Sequence, residues 1–256
     1  IDFANFHAQL CNGIFQKIVL ARSSVSKRNP KISSLELFRQ ACIRYPRLFV
    51  SLVYTPVSGL WLSATPEILL EGDGTTWRTI ALAGTMQLEG EDLQSEGENV
   101  KWSIKNIQEQ RYVASYLADT LRRFSDDVIE EGPHTVRAAH LVHLRSDFTF
   151  SLNNKCTRKG QLLEALHPTP AVCGLPKEEA LRFITQHEHT PRSYYSGFMG
   201  PMCMDHATHL YVSLRCMQIT DTQCRLYAGG GLLKDSNEEQ EWMETETKLD
   251  TMRALL

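Results

Sequence analysis

A lysine that opens an apolar run, a glutamate wedged between a proline and another such run, and a group of acids on two helical patterns are the residues here that can do chemistry. Lys17 begins the strand-like run 17–22, and Glu67 stands between Pro66 and Ile68-Leu69-Leu70. The simplest reading of Lys17 is a surface lysine at the end of an element. A carboxyl group turned inward at an apolar strand start must be paired or protonated. Glu109 falls on one helical stripe with Trp102, Val113 and Tyr116, where an unpartnered acid is expensive. In the stretch 227–248, Gly229-Gly230-Gly231 predict a tight turn whose N–H groups can approach a carboxylate or phosphate. Ser236 and Glu239 read as a capping box, so a helix is expected to carry Glu241, Glu244 and Lys248 on one face. Trp242, Thr245, Leu249 and Met252 repeat on an adjacent stripe expected to pack on the body. Two glutamates one turn apart can hold a hard cation such as Mg²⁺. The plainer alternative is a solvated acidic face.

Several elements must position these groups. Phe3, Phe6, Leu10 and Ile14 recur at helical spacing before Lys17, and a second helix capped by Ser33 or Ser34 ends before Pro46. Short β-rich runs at 48–54, 59–64 and 68–71, separated by Pro or Gly, predict antiparallel hairpins. The run 79–83 leads into a tight turn at Gly84-Thr85, and 87–99 reads as a mobile loop. The longest helical pattern covers 98–124. A strand over 136–152 holds His140 and His143, for which a core or surface position is the simplest reading. A short helix at 161–166 stops at the two-proline turn His167-Pro168-Thr169-Pro170, and another helix covers 177–187. Strands over 194–204 and 209–219 bring Tyr195 and Arg215 toward the glycines. Helices interspersed with hairpins, without a βαβ rhythm, predict an α+β fold.

Bulk properties narrow the ligand. A chain of 256 residues fits one large domain or two ordinary ones. A formal charge of −3 without a basic run argues against nucleic acid, so a small molecule is the expected partner. Seven scattered cysteines, with no C-x-x-C pair, indicate neither a disulfide framework nor a zinc site and point to a reducing cytoplasm. No apolar run is long enough for a membrane helix. The chain opens in a helical pattern without Met, so an N-terminal portion is expected to have been removed.

The motifs KIVLAR (17–22), SATPEILL (63–70), ALAGT (81–85), HPTPAVCG (167–174), RSYYSGFMG (192–200) and AGGG followed by EWMETETK together resemble the chorismate-binding enzymes, the family of isochorismate, salicylate, anthranilate and aminodeoxychorismate synthases. The resemblance covers nearly the whole chain, and six motifs in the family's order make it specific. It implies a single catalytic domain over 1–256, monomeric, in which two large antiparallel sheets pack together with helices outside. It makes Lys17 the general base that activates water and Glu67 the general acid. It makes Glu109 and Glu244 the ligands of Mg²⁺, with Glu241 close enough to act directly or through water. Tyr195, Arg215 and the N–H groups of Gly229, Gly230 and Gly231 match positions that receive the enolpyruvyl carboxylate of chorismate, and His143 and Lys248 match pocket-lining positions. Gln110 stands where the family usually has His, and Cys173 where Gly is common. Lys17 stands where ammonia-using members have Gln, and Ala83 where others carry a nucleophilic Lys, so the resemblance implies water as nucleophile and isochorismate as product. Salicylate synthesis and a catalytically silent chorismate-binding fragment are the alternatives, and whether the product feeds menaquinone or siderophore synthesis is open.

Overall fold

The computed structural model describes residues 1–87, 100–138, 141–152, 159–202 and 207–256. Short runs rich in β-branched and aromatic residues pair antiparallel with their neighbours, as the hairpin spacing predicts. β2 (Phe49–Thr55) and β3 (Gly59–Thr65) form one hairpin, closed by the positive-φ Gly59, and β4 (Ile68–Asp73) and β5 (Thr76–Gln87) form another. With β1 (Lys17–Lys27), β6 (Ile129–Ala138), β7 (Leu141–Ser151), β8 (Gly174–Leu175), β9 (Phe198–Met199), β10 (Thr208–Val212), β11 (Cys216–Ile219) and β12 (Gln223–Leu232), they build two six-stranded sheets. The first runs β2-β3-β11-β12-β1-β8 and the second β6-β7-β5-β4-β10-β9. The fold is α+β, with two antiparallel sheets and helices, as expected.

Each sheet buries an apolar face under helices. α2 (Ser34–Arg44, capped by Ser33) and α6 (Glu238–Arg253) cover the first sheet, packing Leu37, Leu249 and Met252 against Leu62, Met217 and Leu226. α3 (Ile104–Leu121) and α4 (Lys159–Leu166) cover the second, packing Leu117, Leu121 and Leu162 against Leu69, Trp77 and Phe148. α1 (Asp2–Cys11) and α5 (Lys177–His187) close over β1 through Phe6, Leu10 and Ile184. The two sheets meet where Phe49 stacks on Tyr211 at 4.2 Å and where the Thr65 hydroxyl donates to Val212 O at 2.6 Å.

The structure corrects several local expectations. Gly229-Gly230-Gly231 lie inside β12, paired with Ala21, Leu20 and Val19 of β1, and make no turn. Gly84 is likewise within β5, where its φ of 73° accompanies a register shift against β7. Asn237, not Ser236, caps α6, because its carboxamide oxygen accepts the N–H groups of Glu239 and Gln240. Trp242 does not pack on the body; it is exposed, with the Arg22 guanidinium 3.8 Å from its ring centre. The pattern over 98–124 overshoots α3, since Ser103 caps the helix and leaves Trp102 outside it. The strand over 136–152 is two strands, and the described part of 194–204, residues 194–202, contributes only Phe198–Met199, with Ser193 and Ser196 at positive φ before it. His140, residues 88–99 of the loop expected at 87–99, Cys156 and Cys203 lie outside the described residues, and Gln87 ends β5.

Leu226 is fully buried in the core under α6, so Leu226→Ala is expected to cost about 2–5 kcal/mol of stability, read by urea unfolding. Leu181→Ala, at an exposed site on α5, is expected to change it by less than about 0.5 kcal/mol.

Candidate functional site

A cleft between the sheets gathers residues from strands, helices and turns that lie far apart in sequence. Lys17 is the first residue of β1 and is fully buried. Its ammonium faces Glu109 Oε1 of α3 at 3.1 Å, as an ion pair without an aligned hydrogen bond. Glu109 reaches this point because Gly231 has no side chain: a Cβ there would lie 2.1 Å from Glu109 Oε1 and 2.8 Å from Lys17 Cε. Gly229 faces the same cleft, where a Cβ would lie 2.6 Å from the Tyr195 hydroxyl. The glycines are therefore required by what crosses the strand, and positive φ plays no part.

The sheet register also determines where their N–H groups point. In an antiparallel ladder, alternate residues direct both N–H and C=O to the same neighbour. Val19 and Ala21 spend their N–H groups on the side away from β12, on Cys173 O at 2.6 Å and Glu188 Oε1 at 2.7 Å. Their partners Gly231 and Gly229 accordingly turn their own polar groups away from β1, beyond the end of β11. Lys248 of α6 meets this free edge, donating to Gly229 O at 3.0 Å and to Glu244 Oε1 at 2.5 Å.

Glu67, placed just before β4, is buried and accepts a 3.5 Å hydrogen bond from Thr169. Burial pushes its carboxyl up to about 7, against the pull of Lys17 and the Thr169 hydroxyl. Arg215 is buried in the left-handed region, with φ 46°. It donates to His143 Nε2 at 3.1 Å and to Thr251 Oγ1 at 3.4 Å, and makes no ion pair among the described residues. Burial holds its guanidinium down at about 10. Because a guanidinium only donates, His143 Nε2 is the acceptor, and its Nδ1–H faces Thr85 Oγ1 at 3.2 Å. Burial also raises the Tyr195 phenol well above its usual value.

Lys17, Glu67, Glu109, His143, Tyr195, Arg215, Gly229, Gly231 and Lys248 thus surround one cleft. Gly230 does not join them. Its missing side chain faces α6, 3.2 Å from Glu241 Oε2. Glu241 pairs with Lys105 and accepts the Ser236 hydroxyl at 2.7 Å. Lys105 and Thr169 were not singled out from the sequence. Lys105 lies one helical turn before Glu109, a spacing that could have marked it, whereas nothing local marks Thr169.

Three carboxylates here each hold a lysine: Glu109 with Lys17, Glu241 with Lys105, and Glu244 with Lys248. Burial alone would raise the Glu109 carboxyl, but Lys17, Lys105 and Lys248 together hold it below the usual carboxylate value. Burial raises that of Glu241 against the pull of Lys105. Their oxygens are the hard donors that Mg²⁺ takes, and the buried Glu241 Oε2 has no hydrogen-bond partner. Among the described residues no three His, Cys, Asp or Glu side chains stand close enough to enclose a metal. The donors therefore fit an ion that completes its shell with water or ligand oxygens.

Three comparisons bear on this cleft. A family model described as "Chorismate binding enzyme" matches residues 3–256. The isochorismate synthase EntC of Escherichia coli is 29% identical over 239 residues, which is 92% of this chain and 61% of that protein. The crystal structure of DhbC from Bacillus anthracis matches with a TM-score of 0.91 at 28% identity, over 99% of this chain and 70% of that one. The structure of MenF, the menaquinone-specific isochorismate synthase of Escherichia coli, matches with a TM-score of 0.86 at 28% identity, over all of this chain and 59% of that one. The chain spans about three fifths of the length of the curated relatives it matches.

The buried Glu67 also makes stability depend on pH. Folded, it keeps its proton to about pH 7; unfolded, it releases it near its ordinary 4.5, so unfolding between those values releases a proton. The contribution of Glu67 to stability therefore falls as pH rises from 4.5 to about 7. Glu67→Gln should remove that decline, so the difference in unfolding free energy between variant and wild type should grow in favour of the variant across this window.

Proposed function

Because the chain belongs to the chorismate binding enzyme family, we propose that it converts chorismate to isochorismate by adding water at one ring carbon and expelling hydroxyl from another. The observation that carries this reading is the pairing, in one buried cleft, of a carboxyl group that keeps its proton to about pH 7 with a lysine and an arginine that has no acidic partner among the described residues. Those are an acid, a base and an anion receptor.

Arg215 and the outward N–H groups of Gly229 and Gly231 receive the enolpyruvyl carboxylate, with Tyr195 against its flank. An arginine whose charge is otherwise unmatched gains most from a carboxylate, which it can grip through two oxygens. His143 accepts one Arg215 N–H and so orients the guanidinium. Lys17 takes a proton from water as the water oxygen bonds to the ring. Glu67 gives its proton to the departing hydroxyl, which leaves as water while the ring double bonds shift. One water enters and one leaves, so atoms and charge balance. Lys17 accepts the water proton as the neutral amine, so its ammonium must first hand a proton on to solvent and leave its pair with Glu109. Glu109 and Glu244, with Glu241 beside them, would hold Mg²⁺, whose charge would grip the ring carboxylate. Ala83 offers no side-chain amine where other members carry a nucleophilic Lys, and Lys17 stands where ammonia-using members have Gln, which together support water as the nucleophile.

Chromatography of chorismate incubated with enzyme and Mg²⁺ tests the reading. Isochorismate should accumulate reversibly, and ammonium salts should yield no anthranilate. Salicylate and pyruvate in equal amounts, with no free isochorismate, would instead identify a salicylate synthase. Lys17→Ala and Glu67→Gln should each still bind chorismate yet turn over at least about a hundredfold slower. Wild-type turnover should fall as pH rises through about 7, since Glu67 must be protonated to act. Near-normal rates in either variant would remove that residue from the chemistry.

A further inference from the structure

Behind the cleft, Arg192 uses every donor of its guanidinium. Nε donates to Glu188 Oε2 at 2.6 Å; Nη1 donates to Val172 O at 2.6 Å and Ser196 Oγ at 3.3 Å; Nη2 donates to Val19 O at 2.9 Å and Glu188 Oε1 at 2.8 Å. Five N–H groups is all that arginine has. Glu188, the residue that ends α5, has an almost fully buried side chain and also accepts the Ala21 N–H at 2.7 Å.

The segments joined in this way are those that carry the chemistry. Val19 and Ala21 lie on β1, two and four residues from Lys17. Val172 closes the turn that holds Thr169, with its N–H on Thr169 O at 3.0 Å, and Thr169 in turn donates to Glu67. Ser196 adjoins Tyr195 in a turn that begins at Arg192, where Tyr195 N–H donates to Arg192 O at 2.8 Å. Ser193 and Ser196 both hold positive φ there, a conformation that non-glycine residues keep only when their surroundings impose it. Each of the three segments meets the guanidinium through one hydrogen bond, so their relative placement is set at a single planar group.

We propose that Arg192 is the positioning residue of this cleft, fixing the strand of Lys17, the turn of Thr169 and the loop of Tyr195 in one arrangement by its own hydrogen bonds, with Glu188 adding a second hold on the strand. This rests on the isomerase reading for its effect on rate, but not for its effect on structure. A lysine keeps the charge but offers a compact ammonium with three donors and no planar fork, so it cannot make the five bonds. Misplacement of about 1 Å at reacting groups costs about a hundredfold in rate.

Steady-state kinetics and hydrogen exchange on the full chain, for wild type, Arg192→Lys and Arg192→Ala, test the proposal. In Arg192→Lys, kcat for chorismate should fall about a hundredfold while KM changes by less than about threefold. Exchange of the Ala21 amide, whose acceptor Glu188 loses its anchor, should rise about tenfold in the same protein. Free guanidinium at tens of millimolar should restore part of the rate to Arg192→Ala, and tetramethylammonium should not. If Arg192→Ala does not fold, Arg192→Lys decides alone. Wild-type kcat or wild-type exchange at Ala21 in Arg192→Lys overturns the proposal. So does loss of near-UV circular dichroism with kcat and KM failing together, the outcome of a merely structural role. A wild type inactive on chorismate would sink the isomerase reading, leaving exchange at Ala21 to decide the clamp.

Discussion

Removing two opposite charges from water costs several kcal/mol for each ion, and the cost is recovered only when they meet in good geometry. Lys17 and Glu109 meet at 3.1 Å because the strand beside them offers a backbone without side chains. Any larger residue at 231 would occupy the space of the Glu109 carboxylate. The rest of the cleft follows from this. β12 must pair with β1 for Gly231 to lie beside Lys17, α3 must lie across the second sheet for Glu109 to arrive, and the two sheets must face each other for both to be buried.

Around that pair the charges are nearly matched. Lys105 answers Glu241 and Lys248 answers Glu244, so the acids contributed by α6 are neutralised from within the chain. Arg215 is the exception. It is buried, held by a histidine and a threonine, and among the described residues no carboxylate forms an ion pair with it. Glu67 escapes the cost of burial by another route, retaining its proton instead of acquiring a partner. A cleft of this kind attracts anions and keeps one proton ready to donate.

Much of this was legible in the sequence. The hairpins, the α+β class and the inward position of Glu67 follow from local pattern, since β-branched runs cut by Pro or Gly admit few other readings. Glu109 stood out because an acid on an apolar stripe needs a reason. What escaped was set by distant contacts. Three consecutive glycines look locally like a turn, and only the approach of Tyr195 and Glu109 from elsewhere in the chain explains why a strand needs them. The cap of α6 lies one residue further on because the Ser236 hydroxyl oxygen accepts the Leu233 N–H while its proton goes to Glu241. Trp242 fits the apolar stripe by spacing, yet its ring stays exposed with the Arg22 guanidinium over it. Thr169 acquires meaning only beside Glu67.

The pairing of Ile18 with Leu232 joins residues more than two hundred positions apart. Loop closure of that size is entropically costly and gains little early in folding, and glycines add flexibility without adding side-chain contacts along the strand. The β2–β3 and β4–β5 hairpins, with their ends only a few residues apart, have no such handicap. The order of assembly implied by chain topology therefore runs from the hairpins toward the β1–β12 seam, which places the cleft among the last regions to consolidate and makes its integrity a report on the completion of folding.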